Sequence, residues 1–251
     1  MGYFNTIIKM PIAASKQHSA FSSGNVMVDW QAIQIPKGSV CLKSLTLLAR
    51  PKGDSSPTIN SFGSKVIFSK TNTVSLGTVG SMAAHRPNPD IIGAIEIDDA
   101  NFISAHLQST SIATIGSDNA NACPPLIFTG DVKTGDNVGY DTVYVGLIAG
   151  GNFDFTSINA IAEAGSAGAA STQVITMDGT SMDVQEHFAV GDVVHIGTSV
   201  GTPAADSLNG TIASADSATQ LTLESTSETD LVDGDILYNL HPITLILGFE
   251  K

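Results

Sequence analysis

Two cysteines and one tryptophan stand in 251 residues. Two thiols, Cys41 and Cys123, cannot build a disulfide scaffold, so the expected compartment of synthesis is a reducing cytosol. Aromatic residues make up 6% of the chain, a thin supply for stacking sugars. A carbohydrate-binding or carbohydrate-active jelly roll would also need paired carboxylates in a groove, so that class ranks low. Charged residues reach only 14%, against roughly a quarter in an ordinary soluble domain. Basic residues are the scarcest charges, eleven Lys and Arg against twenty-four Asp and Glu, for a net −13. Neutralising phosphates takes clustered Lys and Arg, so neither nucleic acid nor an anionic membrane surface is an expected partner. There is no run of about twenty apolar residues and no basic-then-apolar leader, so neither a membrane span nor a signal peptide is expected. The opening Met1-Gly2-Tyr3-Phe4-Asn5-Thr6 fits a myristoylation pattern, and nothing else supports an anchor.

Catalytic motifs are missing as well. The chain has no G-x-S-x-G, no P-loop and no G-x-G-x-x-G, so nucleophile-elbow and phosphate-cradle chemistry have no support. His18, His85, His106, His187, His195 and His241 lack metal-ligand spacing, and His195 reads as a structural histidine in a strand. No catalytic residue and no cofactor is expected, and the chain does not read as an enzyme. One cation candidate stands out: Asp131, Asp136, Asn137 and Asp141, hard oxygen ligands at short spacing that suit Ca²⁺. Their spacing fits no EF-hand, and such residues are also ordinary turn formers, so a plain loop is the simpler reading. Asn209-Gly210-Thr211 matches a glycosylation sequon, which a hairpin turn explains more simply.

What fills the gap is Gly, Ala, Ser and Thr between short apolar runs, the composition of packed β-structure. Val26, Val28, Trp30 and Ala32 alternate with polar partners, the period of a half-buried strand. The phase then shifts to Ile33 and Ile35, which predicts a bulge near Ala32. Pro36-Lys37-Gly38 followed by the Leu-rich run 40–49, with Cys41 as a small core residue, reads as the second arm of a hairpin. Runs 65–69, 74–79, 91–97, 111–115, 126–129 and 142–149 read as further strands. The last is apolar on both faces, as in the middle of a sandwich or at a subunit contact. After Asp98-Asp99 a short helix is expected, with Phe102, Ile103, His106 and Leu107 on one face. Trp30 and the other N-terminal aromatics read as core.

Charge divides the chain more sharply than hydropathy. Residues 171–236 hold eleven Asp and Glu and no Lys or Arg, so one segment carries −11 of the total. Residues 157–171 form an Ala/Gly/Ser linker before it. Asp178-Gly179, Asn209-Gly210 and Asp233-Gly234 punctuate short strands at 174–177, 193–196, 211–214, 220–224 and 236–238, the pattern of a small five-stranded barrel. A single helical turn is expected near 182–188. Ile243, Leu245, Leu247 and Phe249 then alternate cleanly, and a strand so apolar needs a sheet to bury it. The predicted architecture is all-β: a β-sandwich body of residues 1–156 plus 237–251, the linker, and a small inserted acidic β-barrel at 172–236.

The run Asp29-Trp30-Gln31-Ala32-Ile33-Gln34-Ile35-Pro36-Lys37-Gly38-Ser39 and the Ser/Thr/Ala-rich strands resemble virion structural proteins of tailed bacteriophages, most of all capsid decoration (cement) proteins. Phe188-Ala189-Val190-Gly191-Asp192-Val193-Val194, with Asn209-Gly210-Thr211-Ile212 and Gln220-Leu221-Thr222-Leu223, resembles small barrels inserted into such proteins. The resemblance transfers no site residues. It implies that the body is a jelly-roll-like β-sandwich, and that the protein is a homotrimer on the capsid exterior, synthesised in the host cytoplasm, with the major capsid protein as partner and shell stabilisation as its role. The runner-up expectation is a neck, tail or fibre component contacting the host or other virion proteins.

Overall fold

The computed structural model describes residues 2–12, 16, 20–50, 62–84, 88–103, 111–116, 126–129, 140–152, 173–177, 184–199, 202–226 and 236–251. Linker 157–171, Cys123, Asp131, Asp136, Asn137, Asp178-Gly179 and Asp233-Gly234 lie outside these residues.

Strands account for most of the described residues. β1 (Tyr3–Met10), β2 (Val26–Pro36), β3 (Val40–Ala49), β4 (Ser64–Ser69), β5 (Ile91–Ile97), β6 (Phe102–Ile103), β7 (Ser111–Ile115), β8 (Leu126–Phe128) and β9 (Tyr140–Ala149) precede the acidic segment. Within that segment come β10 (Val174–Thr176), β11 (Val193–Ser199), β12 (Thr202–Ser217), β13 (Gln220–Leu223) and β14 (Ile236–Asn239), followed by β15 (Ile243–Glu250). One sheet runs β1-β15-β3-β7-β6 with β8 also on β3, and a second runs β2-β9-β4-β5. Numbering the eight body strands along the chain without β6 and β8, the two sheets read 1-8-3-6 and 2-7-4-5. That is the strand order of a jelly roll, two Greek keys folded face to face.

The alternation in β15 decides the core. Ile243, Leu245, Leu247 and Phe249 are buried, and β15 is paired along its length with β1 on one side and β3 on the other. Across the sandwich, Val143, Val145 and Leu147 of β9 and Val66 and Phe68 of β4 meet them in one cluster. A chain of three aromatic contacts runs through the core, the first crossing between the sheets and the other two lying along the six-stranded sheet. Phe68 meets Phe128 edge-on at 5.0 Å, Phe128 meets Phe249 edge-on at 5.4 Å, and Phe249 stacks on Phe4 at 5.1 Å. Such pairs add about 0.5–1.5 kcal/mol beyond their buried area.

Several local expectations give way. β2 and β3 do not form a hairpin, because β2 pairs β9 while β3 pairs β15, β7 and β8. Pro36-Lys37-Gly38 is therefore a corner between sheets, with Gly38 at φ 100°. The register of β2 shifts at Met27 and again at Asp29-Trp30, not at Ala32; at the second shift Val28 faces Leu147 and Gln31 faces Val145, so two residues oppose Gly146. The second shift has a use. The Asp29 carboxylate accepts Leu76 N–H at 3.0 Å and Ser75 Oγ–H at 2.7 Å, and Trp30 Nε1 donates to Val74 O at 2.7 Å. Residues 74–79 are thereby held as a flap on the outer face of the second sheet, not as the expected strand. Leu76 packs there with Val26 and Ile148, which covers the second apolar face of β9. The expected helix after Asp98 is one 3-10 turn, Asp99–Asn101, with Asn101 Oδ1 accepting Asp98 N–H at 2.7 Å. Phe102 and Ile103 then pair with β7, and residues 104–110 lie outside the described part.

The acidic module is a five-stranded curled sheet, β10-β13-β12-β11-β14, whose end strands each have one strand neighbour among the described residues. Asn209-Gly210 is not its hairpin turn. Val194 faces Gly210 and His195 faces Leu208, so Asn209 is the extra residue of a bulge inside β12. Gly210 sits at φ 136°, where a side chain would be strained. Among the described residues the two-residue turn is Ala218-Thr219, between Ser217 and Gln220. Helix α1 (Val184–His187) supplies the single expected turn. β14 pairs β11, so the chain crosses to the body at 240–242, three residues after the boundary expected at 237. Buried Ile175, Val184, Phe188, Val194, Ile212, Leu221 and Leu237 belong to the same cluster as the body core. The module is docked on the sandwich.

Candidate docking face

Registers across the six-stranded sheet fix which side chains point away from the core. One outward row reads Ile7, Ile246, Thr46, Thr114. The next reads Lys9, Thr244, Leu48, Ile112, Ile103, and a third reads Tyr3, Glu250, Cys41, Ile127. An antiparallel sheet with one wet face ordinarily turns polar residues outward. Here Tyr3 (73%), Ile7 (67%), Ile103 (58%) and Ile127 (66%) stand exposed, and Ile246, Leu48 and Ile112 are half-buried. Five strands at about 4.8 Å spacing and eight residues at about 3.4 Å give a face of roughly 600 Å². Exposed isoleucines gathered on one such face, rather than scattered singly, are the pattern of an interaction site. Cys41, expected in the core, is on this face and half-buried as a free thiol.

The few charges on the face are matched. Lys43 Nζ lies 2.8 Å from Glu250 Oε2, and Tyr3 Oη donates to Glu250 Oε1 at 3.1 Å. Lys43, then Tyr3, hold the Glu250 carboxyl below the usual carboxylate range. The same contacts hold Lys43 and Tyr3 above their ordinary values. Lys9 Nζ donates to Gly191 O of the module at 2.6 Å. The sheet thus presents isoleucine, leucine and threonine with no unmatched charge among these residues.

At one end of the face Asp192 joins module to body. Its carboxylate is almost fully buried and accepts Ala189 N–H at 2.9 Å and Asn239 Nδ2–H at 2.9 Å. Arg50 Nη2 reaches it at 3.3 Å, and Lys9 Nζ lies 3.9 Å away. Nothing in the local sequence distinguishes Asp192 from its ten acidic neighbours; only the fold delivers Arg50 and Lys9 to it.

The remaining sequence candidates disperse. Asp141 is buried, and its Oδ2 accepts Gly38 N–H at 3.2 Å, so it braces the corner after β2; Asp131, Asp136 and Asn137 lie outside the described residues. His195 is buried on β11, beside the junction. Trp30 lines a hollow of about 340 Å³ with Ile67, Leu76 and Ile91 on the outer face of the second sheet, half-buried where core was expected. Among the described residues, no three His, Cys, Asp or Glu side chains are grouped to hold a metal, and no helix is long and apolar enough to cross a membrane. Comparison with protein-family models, with curated proteins and with solved structures found no match.

Proposed function

We propose that this chain is a non-enzymatic structural protein of a tailed-bacteriophage virion that docks on the outer capsid surface and stiffens the shell. The observation that carries this reading is the outward face of the six-stranded sheet, apolar and hydroxyl-bearing with its charges internally matched. A protein lattice built from similar surface is the partner such a face suits, because burying it strands no charge. The charge map agrees. Residues 171–236 carry −11 of the net charge, and the described part of that segment forms the module docked on the sandwich; self-repulsion of such a module would keep decorated particles apart. Jelly rolls recur in viral coats, though the fold alone names no role. A homotrimer with the face turned toward the major capsid protein is the proposed arrangement.

Reconstitution on undecorated particles tests the reading. Wild-type protein is expected to raise their resistance to heat and osmotic shock. Ile103→Lys with Ile127→Lys is expected to fold, since both side chains are mostly exposed, and to lose binding. Unchanged particle resistance with the wild-type protein contradicts the reading. Labelling at a single vertex rather than over the capsid faces would transfer the protein to the neck, tail or fibre.

A further inference from the structure

The module is joined to the body at 240–242 through a cluster of titratable groups. Leu240 N–H donates to Val193 O at 2.8 Å, Ile12 N–H to Leu240 O at 2.9 Å, and Arg50 N–H to Pro242 O at 2.9 Å. The residue between them is His241, whose N–H donates to Asn239 Oδ1 at 2.8 Å. Its imidazole is half-buried, and Nδ1 is enclosed with no hydrogen-bond partner. Lys9 from β1, Asp192 from the turn before β11 and His195 on β11 all face it, and Arg50 at the end of β3 grips Asp192. β14 contributes the neutral Asn239, whose Nδ2 donates to the Asp192 carboxylate at 2.9 Å.

We infer that this junction is an acid-released latch, in which protonation of His241 loosens the acidic module from the sandwich. Among the described residues Asp192 is the one carboxylate in the cluster. It already faces two cations and two neutral donors. A charged imidazole adds a further cation beside Lys9, in a pocket where its Nδ1–H would find no acceptor. Burial first, then Lys9, hold His241 below the usual imidazole value, and Asp192 opposes them less strongly. The sign follows from linkage. The undocked chain takes up the proton before the docked one, so the coupling is complete above the ordinary histidine pKa of about 6.5 and is lost as pH falls through the depressed docked value. This latch is independent of what the docking face binds.

Amide hydrogen exchange on the full chain, corrected for intrinsic rates, reads the latch at Ile12, Arg50 and Leu240. Between about pH 7.5 and pH 5 their protection is expected to fall by roughly a factor of three or more, while amides in the middle of β3 and β15 hold theirs. His241→Gln keeps a neutral side chain and is expected to leave the junction amides equally protected at both pH values. The inference is overturned if wild-type protection does not change with pH, or if the variant loses it as the wild type does. Should the variant fail to fold, the ring C–H resonances of His241 in the wild type decide the matter. They must titrate below the ordinary value and together with the loss of junction protection, and titration at the ordinary value or apart from that loss overturns the latch.

Discussion

Replacing Asp192 by Ala removes the acceptor on which module and body converge, and the structure sets the size of the loss. Ala189 N–H and Asn239 Nδ2, each 2.9 Å from the carboxylate, lose a charged acceptor in a nearly dry site. Hydrogen bonds to charged groups contribute about 1.5–3 kcal/mol each. Arg50 and Lys9 keep part of their side chains in water, 28% and 43% exposed, so the ion pairs add about 0–1 kcal/mol. The expected loss is about 3–7 kcal/mol, a large share of the roughly 5–15 kcal/mol that holds a domain folded. Asp192→Asn retains one acceptor oxygen and is expected to cost about half as much. Urea unfolding followed by far-UV circular dichroism measures both. Because the buried clusters of body and module are continuous, the wild type is expected to unfold in one transition. A loss below about 1 kcal/mol for Asp192→Ala would refute the reasoning, since it would mean that water replaces the carboxylate at no cost.

Gly146→Val places a side chain against Leu76 and Trp30 and should displace the 74–79 flap, costing about 1–3 kcal/mol by thermal unfolding with a changed Trp30 emission. Gly210→Ala forces a side chain into φ 136° and should cost about 1–3 kcal/mol in urea, with the loss centred on β11 and β12 by hydrogen exchange. The Glu250 carboxyl is held low by Lys43, so whatever it adds to the β1–β15 edge is present above the ordinary carboxylate pKa and lost as pH falls through its own. An NMR titration should find it depressed in the wild type and returned upward in Lys43→Gln.

The sequence displayed the elements whose physics is local. Alternation in β15 announced a strand that needs a sheet to bury it, and β3, β5 and β7 begin and end where their apolar runs do. Partner choice was less legible. Pro36-Lys37-Gly38 has the same chemistry whether the chain folds back on itself or turns a corner between sheets. Asn209-Gly210 serves a bulge as well as it serves a hairpin, because both need a backbone that tolerates positive φ. Residues 74–79 are apolar enough for a strand, yet Asp29 and Trp30, forty-odd positions away, hold them as a flap. The docking face was the hardest to see. In strands apolar on both sides, nothing local says that Ile7, Ile103 and Ile127 point outward while Ile8, Phe102 and Phe128 point in. Register alone decides that, and Asp192 likewise gains its role only when β1 and β3 end beside it.

A density map of virus particles with and without this protein tests the central claim most directly. The account predicts added density over the capsid faces, with the six-stranded sheet turned toward the shell, Ile103 and Ile127 buried in the contact, and the acidic module clear of it. A map in which that sheet faces solvent, or in which the acidic module makes the contact, would contradict it.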